Sequence, residues 1–102
     1  MTEKEICLKA IEKYGIEAQT LMVFEEMSEL QKELCKHARS ADNINNIAEE
    51  IADVQIMLAQ MILYYGIEKP VESFKHQKLN RLRFRLLAKG IGKDGGTAPE
   101  EP

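Results

Sequence analysis

The chain has 102 residues, of which 44% are hydrophobic and 30% are charged, and its net charge is −3. This composition predicts one small globular domain, argues against a disordered chain, and offers no bulk positive charge that would attract nucleic acid or a membrane surface. A chain of this length builds only a modest core, and such chains often gain stability by self-association.

The cysteines and the apolar segments predict a cytoplasmic protein. Cys7 and Cys35 form neither a CxxC motif nor a metal-ligand spacing, so we expect two buried, reduced thiols. The N-terminal residues lack the apolar core of a signal peptide. The longest apolar stretch, near Ile56 to Ile67, is interrupted by Gln60 and is too short to span a bilayer, so no membrane partner is predicted.

Helix-forming sequence dominates the first 89 residues. Proline is absent before Pro70, and the first two glycines, Gly15 and Gly66, each stand between a tyrosine and an isoleucine. A glycine that follows a helical run and precedes an apolar residue typically ends the helix in the left-handed conformation. The sequence therefore predicts an all-α domain over residues 1–89, with helices at about 2–14, 18–39, 43–65 and 70–88, and a flexible tail over residues 90–102.

Two acidic pairs with the same spacing stand in the two central helices. Glu26 and Glu29 lie three residues apart, as do Glu50 and Asp53. On a helix this spacing places both carboxylates of a pair on one face. A central antiparallel hairpin, packed through the apolar stripe that each pair borders, would bring the four carboxylates together. The stripes are Val23, Met27, Leu30 and Leu34 in the second helix and Ile47, Ile51, Val54 and Leu58 in the third.

Four converging carboxylates point to a bound cation. Like charges repel, and burial disfavours the ionised form of each acid. A hard divalent cation removes this cost, and Mg2+ or Mn2+ prefers oxygen ligands. A di-iron site would need Glu-x-x-His motifs, whereas the two histidines stand in Glu33-x-x-x-His37 and Glu72-x-x-x-His76. The sequence therefore predicts an oxygen-only site for Mg2+, with Mn2+ possible, and the ion points to phosphate chemistry.

The last helix is strongly basic. Lys78, Arg81 and Arg85 lie on one side of it. The acidic hairpin and this basic helix together could hold an anionic, metal-bound ligand, with lysine and arginine side chains on its phosphate oxygens. A nucleic-acid-binding module built on this helix is disfavoured by the negative net charge of the chain. The basic residues are Lys75, Lys78, Arg81, Arg83, Arg85 and Lys89.

Each of these features also has a simpler interpretation. Acidic side chains on helices are usually solvated, so the competing hypothesis is a non-catalytic helical oligomerisation or binding module. The basic side chains of the last helix would then lie along its apolar face and pair with acids of neighbouring helices. Glu25 and Glu49 precede the pairs, and we expect them at the surface or beside the ligands. We expect Glu33 and His37 to form a surface pair.

The apolar surface of the long helices is wide for so short a chain. Phe24, Ile56 and Leu63 lie off the main stripes and need a partner to cover them. We therefore expect a homodimer or a homotetramer, in which homo-oligomerisation completes the helical fold.

The motifs together resemble those of the MazG-like all-alpha nucleoside triphosphate pyrophosphatases. The matching residues are Glu25-Glu26-x-x-Glu29, then Glu50-x-x-Asp53, and a closing stretch Lys78-Leu79-Asn80-Arg81-Leu82. The resemblance covers roughly residues 15 to 88. It implies a helical bundle built by subunits, usually dimers or tetramers, and Mg2+-dependent hydrolysis of a nucleoside triphosphate to the monophosphate and pyrophosphate.

The resemblance also implies a role for each matched residue. The catalytic metal ligands would be Glu26, Glu29, Glu50 and Asp53. The contacts to phosphate would be Lys78 and Arg81.

Overall fold

The computed structural model describes residues 1–88, and within them the chain is all-helical, as the sequence predicts. The predicted tail over residues 90–102 lies outside the described part. None of the described helices is long and apolar enough to cross a membrane. In chain order the helices are α1 (Glu3–Tyr14), α2 (Ile16–Ala38), α3 (Ile44–Tyr65) and α4 (Glu68–Leu87), so each predicted bound agrees with the structure to within two residues.

Gly66 ends α3 in the left-handed conformation that the sequence predicts. Its φ is 63°, and the N–H of Ile67 donates to the carbonyl of Ile62 across the helix end at 3.1 Å. A side chain would be strained at this φ, which explains the glycine. Gly15 separates α1 from α2 at a φ of 85° with an extended ψ of 152°, so it ends α1 through a different turn.

The chain divides into two compact units, and the first spans Met1–Ile67. Within it α1 contacts both α2 and α3, and the contact between α2 and α3 is the most extensive. Gln19, early in α2, is hydrogen-bonded to Gln60, late in α3, while Glu33, late in α2, is hydrogen-bonded to Asn43, which immediately precedes α3. The two long helices therefore run in opposite directions.

The contact between α2 and α3 is rotated relative to the predicted apolar stripes. Val23 and Val54 are buried, as the stripes predict, but four other stripe residues are exposed. The contact follows the line of Glu26 and Glu50 instead, because an apolar stripe wider than one helix contact leaves the partner helix to select which part is covered. The exposed stripe residues are Met27, Leu34, Ile51 and Leu58.

The two cysteines differ in their exposure. Cys7 on α1 is buried, and this burial raises the pKa of its thiol. Cys35 on α2 is exposed, so the prediction of two buried thiols is wrong for Cys35. Cys35 follows the buried Glu33 by two residues, which turns its side chain to the opposite side of the helix.

The second unit begins at Glu68, and its described part consists of α4 and Ala88. Pro70 lies in the first turn of α4, where its missing N–H costs nothing. Phe74, Leu79 and Leu82 are exposed along this helix.

Candidate metal centre

Polar side chains recur every seven residues along the contact between α2 and α3. Seven residues make almost two helical turns, so residues at this spacing return to the same face. Because the helices run in opposite directions, the recurring positions meet in three layers. The layers are Gln19 with Gln60 (the glutamine layer), Glu26 with Glu50 and Asp53 (the carboxylate layer), and Glu33 with Asn43 and Asn46 (the asparagine layer).

The carboxylate layer brings three acids from two helices together. Glu26, Glu50 and Asp53 each offer a carboxylate oxygen, and these oxygens lie within 4.8 Å of one another. All three side chains are half-buried. The Oε2 atom of Glu50 is buried and has no hydrogen-bond partner. A buried acceptor without a donor is costly, so this oxygen has the environment expected of a ligand to a cation.

The pKa values of the layer show how unfavourable three charges are at this place. Burial raises the pKa of Glu26, and the charges of Asp53 and Glu50 raise it further. Burial also raises the pKa of Glu50, followed by the charges of Asp53 and Glu29. A hydrogen bond between Glu26 and Asp53 favours the protonated form of Glu26. Burial and mutual repulsion thus disfavour the ionised forms of Glu26 and Glu50, and a bound divalent cation would favour them.

The donor set fits Mg2+ or Mn2+. All the converging atoms are carboxylate oxygens, which these hard ions prefer over nitrogen or sulfur. Mg2+ binds oxygen at about 2.1 Å, so two ligands on one ion lie within about 4.2 Å of each other. The three carboxylate oxygens all lie within 4.8 Å of one another, so none of their separations exceeds this limit by more than about 0.6 Å.

Glu29, the fourth predicted ligand, is exposed and lies outside the group of three. Its charge nevertheless raises the pKa of Glu50, so it lies near the carboxylate layer. Its role as a ligand stays a prediction. Glu25 and Glu49 are exposed, as expected for residues beside the ligands, and each raises the pKa of the glutamate that follows it.

Glu33 is not the surface residue that the sequence predicts. It is buried, and Asn43 Nδ2 donates to its Oε1 and to its main-chain oxygen, both at 2.9 Å. The bond from Asn43, followed by a bond from Lys36 at 3.2 Å, lowers the pKa of Glu33. His37 lies instead 3.2 Å from the carbonyl oxygen of Ala41. The seven-residue spacing from Glu26 was the signal that could have revealed this burial.

Gln19 and Gln60 were also missed by the sequence analysis. Both are buried, and Gln19 Nε2 donates to Gln60 Oε1 at 2.7 Å. Gln19 precedes Glu26 by seven residues, and Gln60 follows Asp53 by seven. The same spacing would therefore have placed both glutamines on the contact line.

Lys78 and Arg81 both lie on α4, in the second unit. Their three-residue spacing puts them on one side of this helix. Their contact with phosphate stays a prediction.

Comparisons with known proteins place the chain in no family: no protein-family model matches it, and neither does any curated protein or solved structure. The resemblance to the MazG-like pyrophosphatases therefore depends on the quoted motifs and stays a prediction. In the described residues the fold and the site define an all-α chain with a cluster of acids between two antiparallel helices.

The shifted pKa values predict how the stability of the metal-free protein varies with pH. Glu26 and Glu50 have raised pKa values in the folded chain. Between the ordinary glutamate pKa and the raised values, the folded chain therefore binds more protons than the unfolded chain. The free energy of unfolding falls as the pH rises through this range. The lowered pKa of Glu33 gives stability that is present above the ordinary pKa and is lost as the pH falls through the lowered one. Together the three groups favour a maximum near the ordinary pKa.

Thermal melts of metal-free protein between about pH 2 and pH 8 would test this dependence on both sides of the ordinary glutamate pKa. Glu26→Gln should flatten the decline on the alkaline side, and Glu33→Gln should flatten the decline on the acidic side. Excess Mg2+ should also reduce the alkaline decline, because the cation binds the ionised acids. An alkaline decline that persists unchanged in Glu26→Gln would contradict the assigned cause.

Proposed function

We propose that this chain is a Mg2+-dependent nucleotide pyrophosphohydrolase that cleaves a nucleoside or deoxynucleoside triphosphate to the monophosphate and pyrophosphate. The observation that carries the proposal is the carboxylate layer, in which three acids converge and one oxygen of Glu50 is buried without a donor. The resemblance of the surrounding motifs to those of the MazG-like pyrophosphatases supports the choice of substrate. Mn2+ is the second candidate for the ion.

In this proposal the chain supplies the oxygen ligands and the contacts to phosphate. Glu26, Glu50 and Asp53 hold the ion, and Glu29 adds a fourth carboxylate at the exposed edge of the layer. When bound, the ion would polarise the phosphoryl group and lower the pKa of an attacking water. The half-buried position of the three acids limits competition from bulk water and strengthens their attraction for a cation.

A panel of nucleoside triphosphates with Mg2+, assayed for released pyrophosphate, tests the proposal. We expect pyrophosphate and the monophosphate in equal amounts, and no release once a chelator removes the ion. Release of inorganic phosphate alone would indicate cleavage at a different bond. No turnover with any nucleotide, in the presence of either Mg2+ or Mn2+, would refute the proposal.

The predicted phosphate contacts can be tested separately on α4. Lys78→Ala or Arg81→Ala should lower kcat/KM by about tenfold or more, because a hydrogen bond to a charged group is worth ~1.5–3 kcal/mol. Steady-state kinetics, together with a melting curve to show an intact fold, provide the measurement. Arg83→Ala is the matched control, since Arg83 is exposed and lies two residues from Arg81, on another side of the helix. Removal of residues 90–102 should also have little effect. Equal losses from Arg81→Ala and Arg83→Ala would show that phosphate binds elsewhere.

We also propose that the chain assembles as a homodimer or homotetramer. One side of the α2–α3 pair carries four exposed apolar residues, which we call the apolar flank; they range from 39% exposed for Leu58 to 48% for Leu34. Because the helices run in opposite directions, the residues that follow Glu26 and Glu50 lie on the same side of the pair. An exposed apolar surface of this kind usually marks an interface. The flank consists of Met27 and Leu34 on α2 and Ile51 and Leu58 on α3.

The apolar flank also favours the second candidate function, a non-catalytic helical oligomerisation or binding module. In that case the chain would assemble without turning over any nucleotide. Titration with Mn2+, followed by electron paramagnetic resonance, distinguishes the two functions before a substrate is known. Binding of about one ion per chain that Asp53→Asn abolishes would favour the enzyme. Assembly without any Mn2+ binding would favour the module.

A further inference from the structure

The carboxylate layer lies midway between two hydrogen-bonded polar layers. On α2, Glu26 is seven residues from Gln19 on one side and seven from Glu33 on the other. The glutamine layer is joined by a bond of 2.7 Å, and the asparagine layer by a bond of 2.9 Å between Asn43 and Glu33. Both outer layers thus tie α2 to α3 at equal distances from the candidate metal ligands.

Stability alone does not account for these buried polar pairs. The two glutamines occupy positions where a helix pair usually carries apolar residues, and replacing both partners of such a pair with apolar groups is often neutral or stabilising. Buried polar pairs between helices are better known for selecting one register. The apolar neighbours here, such as Val23 and Val54, pack without direction and discriminate weakly between registers.

Asn43 gives independent support for a role in register. Asparagine is among the best N-cap residues, and Asn43 stands at the N-cap of α3, yet its side chain makes no capping hydrogen bond. Its Nδ2 donates to Glu33 on α2 instead, and its Oδ1 is left buried without a partner. The side chain therefore ties α3 to α2 rather than completing the end of its own helix.

We propose that the glutamine and asparagine layers are positioning elements, which fix the register of α2 against α3 and thereby hold Glu26 opposite Glu50 and Asp53. A slip of one helical turn would move the helices by about 5.4 Å and separate the three carboxylates. It would also break both outer layers, because each needs its own partner in the facing helix. This inference rests on the proposed metal site for its functional consequence, although the register itself can be measured without a metal.

The test uses the double variant Gln19→Met/Gln60→Met, which keeps side-chain length and removes both polar ends. We expect an unchanged or higher melting temperature, because no buried polar group is left unpaired. We also expect about tenfold weaker Mn2+ binding, comparable to the loss of a residue that orients metal ligands. A matched control is Gln31→Met/Gln55→Met, which removes two exposed glutamines from the same helices. Asn43→Ser, which restores a capping side chain and removes the donor to Glu33, tests the other layer.

Backbone amide NMR spectra of the metal-free protein provide the second readout. The wild type should show one set of resonances for α2 and α3, and the glutamine variant should show a second set from the slipped register. A second set, or weaker Mn2+ binding than in the control, supports the inference. The inference is overturned if Gln19→Met/Gln60→Met and Asn43→Ser each show one set of resonances and bind Mn2+ as tightly as the control Gln31→Met/Gln55→Met. A wild type that binds no Mn2+ refutes the proposed function, and the spectra then decide the question of register alone.

Discussion

Glu50→Gln is expected to lower Mg2+-dependent pyrophosphate release by about a hundredfold or more. Loss of a residue that only orients metal ligands typically lowers metal affinity or activity by about 10–100-fold, and loss of a direct ligand should lower it at least as much. Asp53→Asn should act in the same way, because its oxygen belongs to the same group within 4.8 Å. Steady-state assays at saturating Mg2+ measure the loss, and a Mn2+ titration shows whether it arises from metal binding.

The same substitutions should stabilise the protein when no metal is present. Burial and the neighbouring charges raise the pKa of Glu50, so a neutral isostere removes repulsion at neutral pH. The melting temperature of metal-free Glu50→Gln should therefore exceed that of the wild type. The increase in melting temperature that Mg2+ gives the wild type should disappear, because a ligand stabilises only the state that binds it.

Glu49→Gln is the matched control for Glu50→Gln. It removes the same charge from the adjacent position, where the side chain is exposed and lies outside the carboxylate layer. Asp42→Asn serves in the same way for Asp53→Asn, since Asp42 is exposed and lies in the segment of the chain that connects α2 to α3. Turnover at the wild-type level in Glu50→Gln, or equal losses in Glu49→Gln and Glu50→Gln, would refute the assignment of the ligands.

Leu58→Glu should dissociate the proposed assembly. Burying a leucine side chain contributes about 1.5–3 kcal/mol, and in a symmetric dimer the substitution occurs twice. The dissociation constant should therefore rise by about a hundredfold or more, with a further penalty for burying the new charge. Light scattering at micromolar concentration should show an oligomer for the wild type and a smaller species for the variant.

Leu21→Glu is the control for this experiment. Leu21 is also an exposed leucine of the α2–α3 pair, but it lies on the side of α2 that faces away from the contact line of Glu26. The Leu21→Glu variant should therefore have nearly the same mass in solution as the wild-type assembly. If Leu21→Glu dissociates the assembly and Leu58→Glu does not, the interface lies on another face. A wild type that stays monomeric at micromolar concentration would contradict the assembly itself.

The two experiments together separate the candidate functions. An enzyme loses turnover in Glu50→Gln while its assembly persists, because Glu50 lies at the contact within the chain and the apolar flank lies outside it. An oligomerisation module shows no turnover in any variant but still responds to Leu58→Glu. Each function therefore has an outcome that the other does not produce.

Local sequence was sufficient to predict the helices. Their bounds follow from the absence of proline before Pro70 and from the two glycines, since backbone conformation at these positions depends on the residue itself. The acidic pairs were also readable, because a three-residue spacing places two side chains on one face of any helix. The sequence alone therefore predicts that Glu50 and Asp53 are neighbours on one helix face.

The sequence by itself determined that the chain is helical and which acids share a face of each helix, because these properties depend on the residue type and on the periodicity of one helix. Only the tertiary structure decided which part of each wide stripe is covered. It buries Glu33 and Gln60, exposes Met27 and Leu58, and leaves Glu29 outside the group of three acids. The physical reason is that the burial of a side chain depends on the neighbouring helix as well as on its own. The rotation and register of that neighbour decide which residues meet, and the hydrogen bonds that favour one register join residues far apart in the chain.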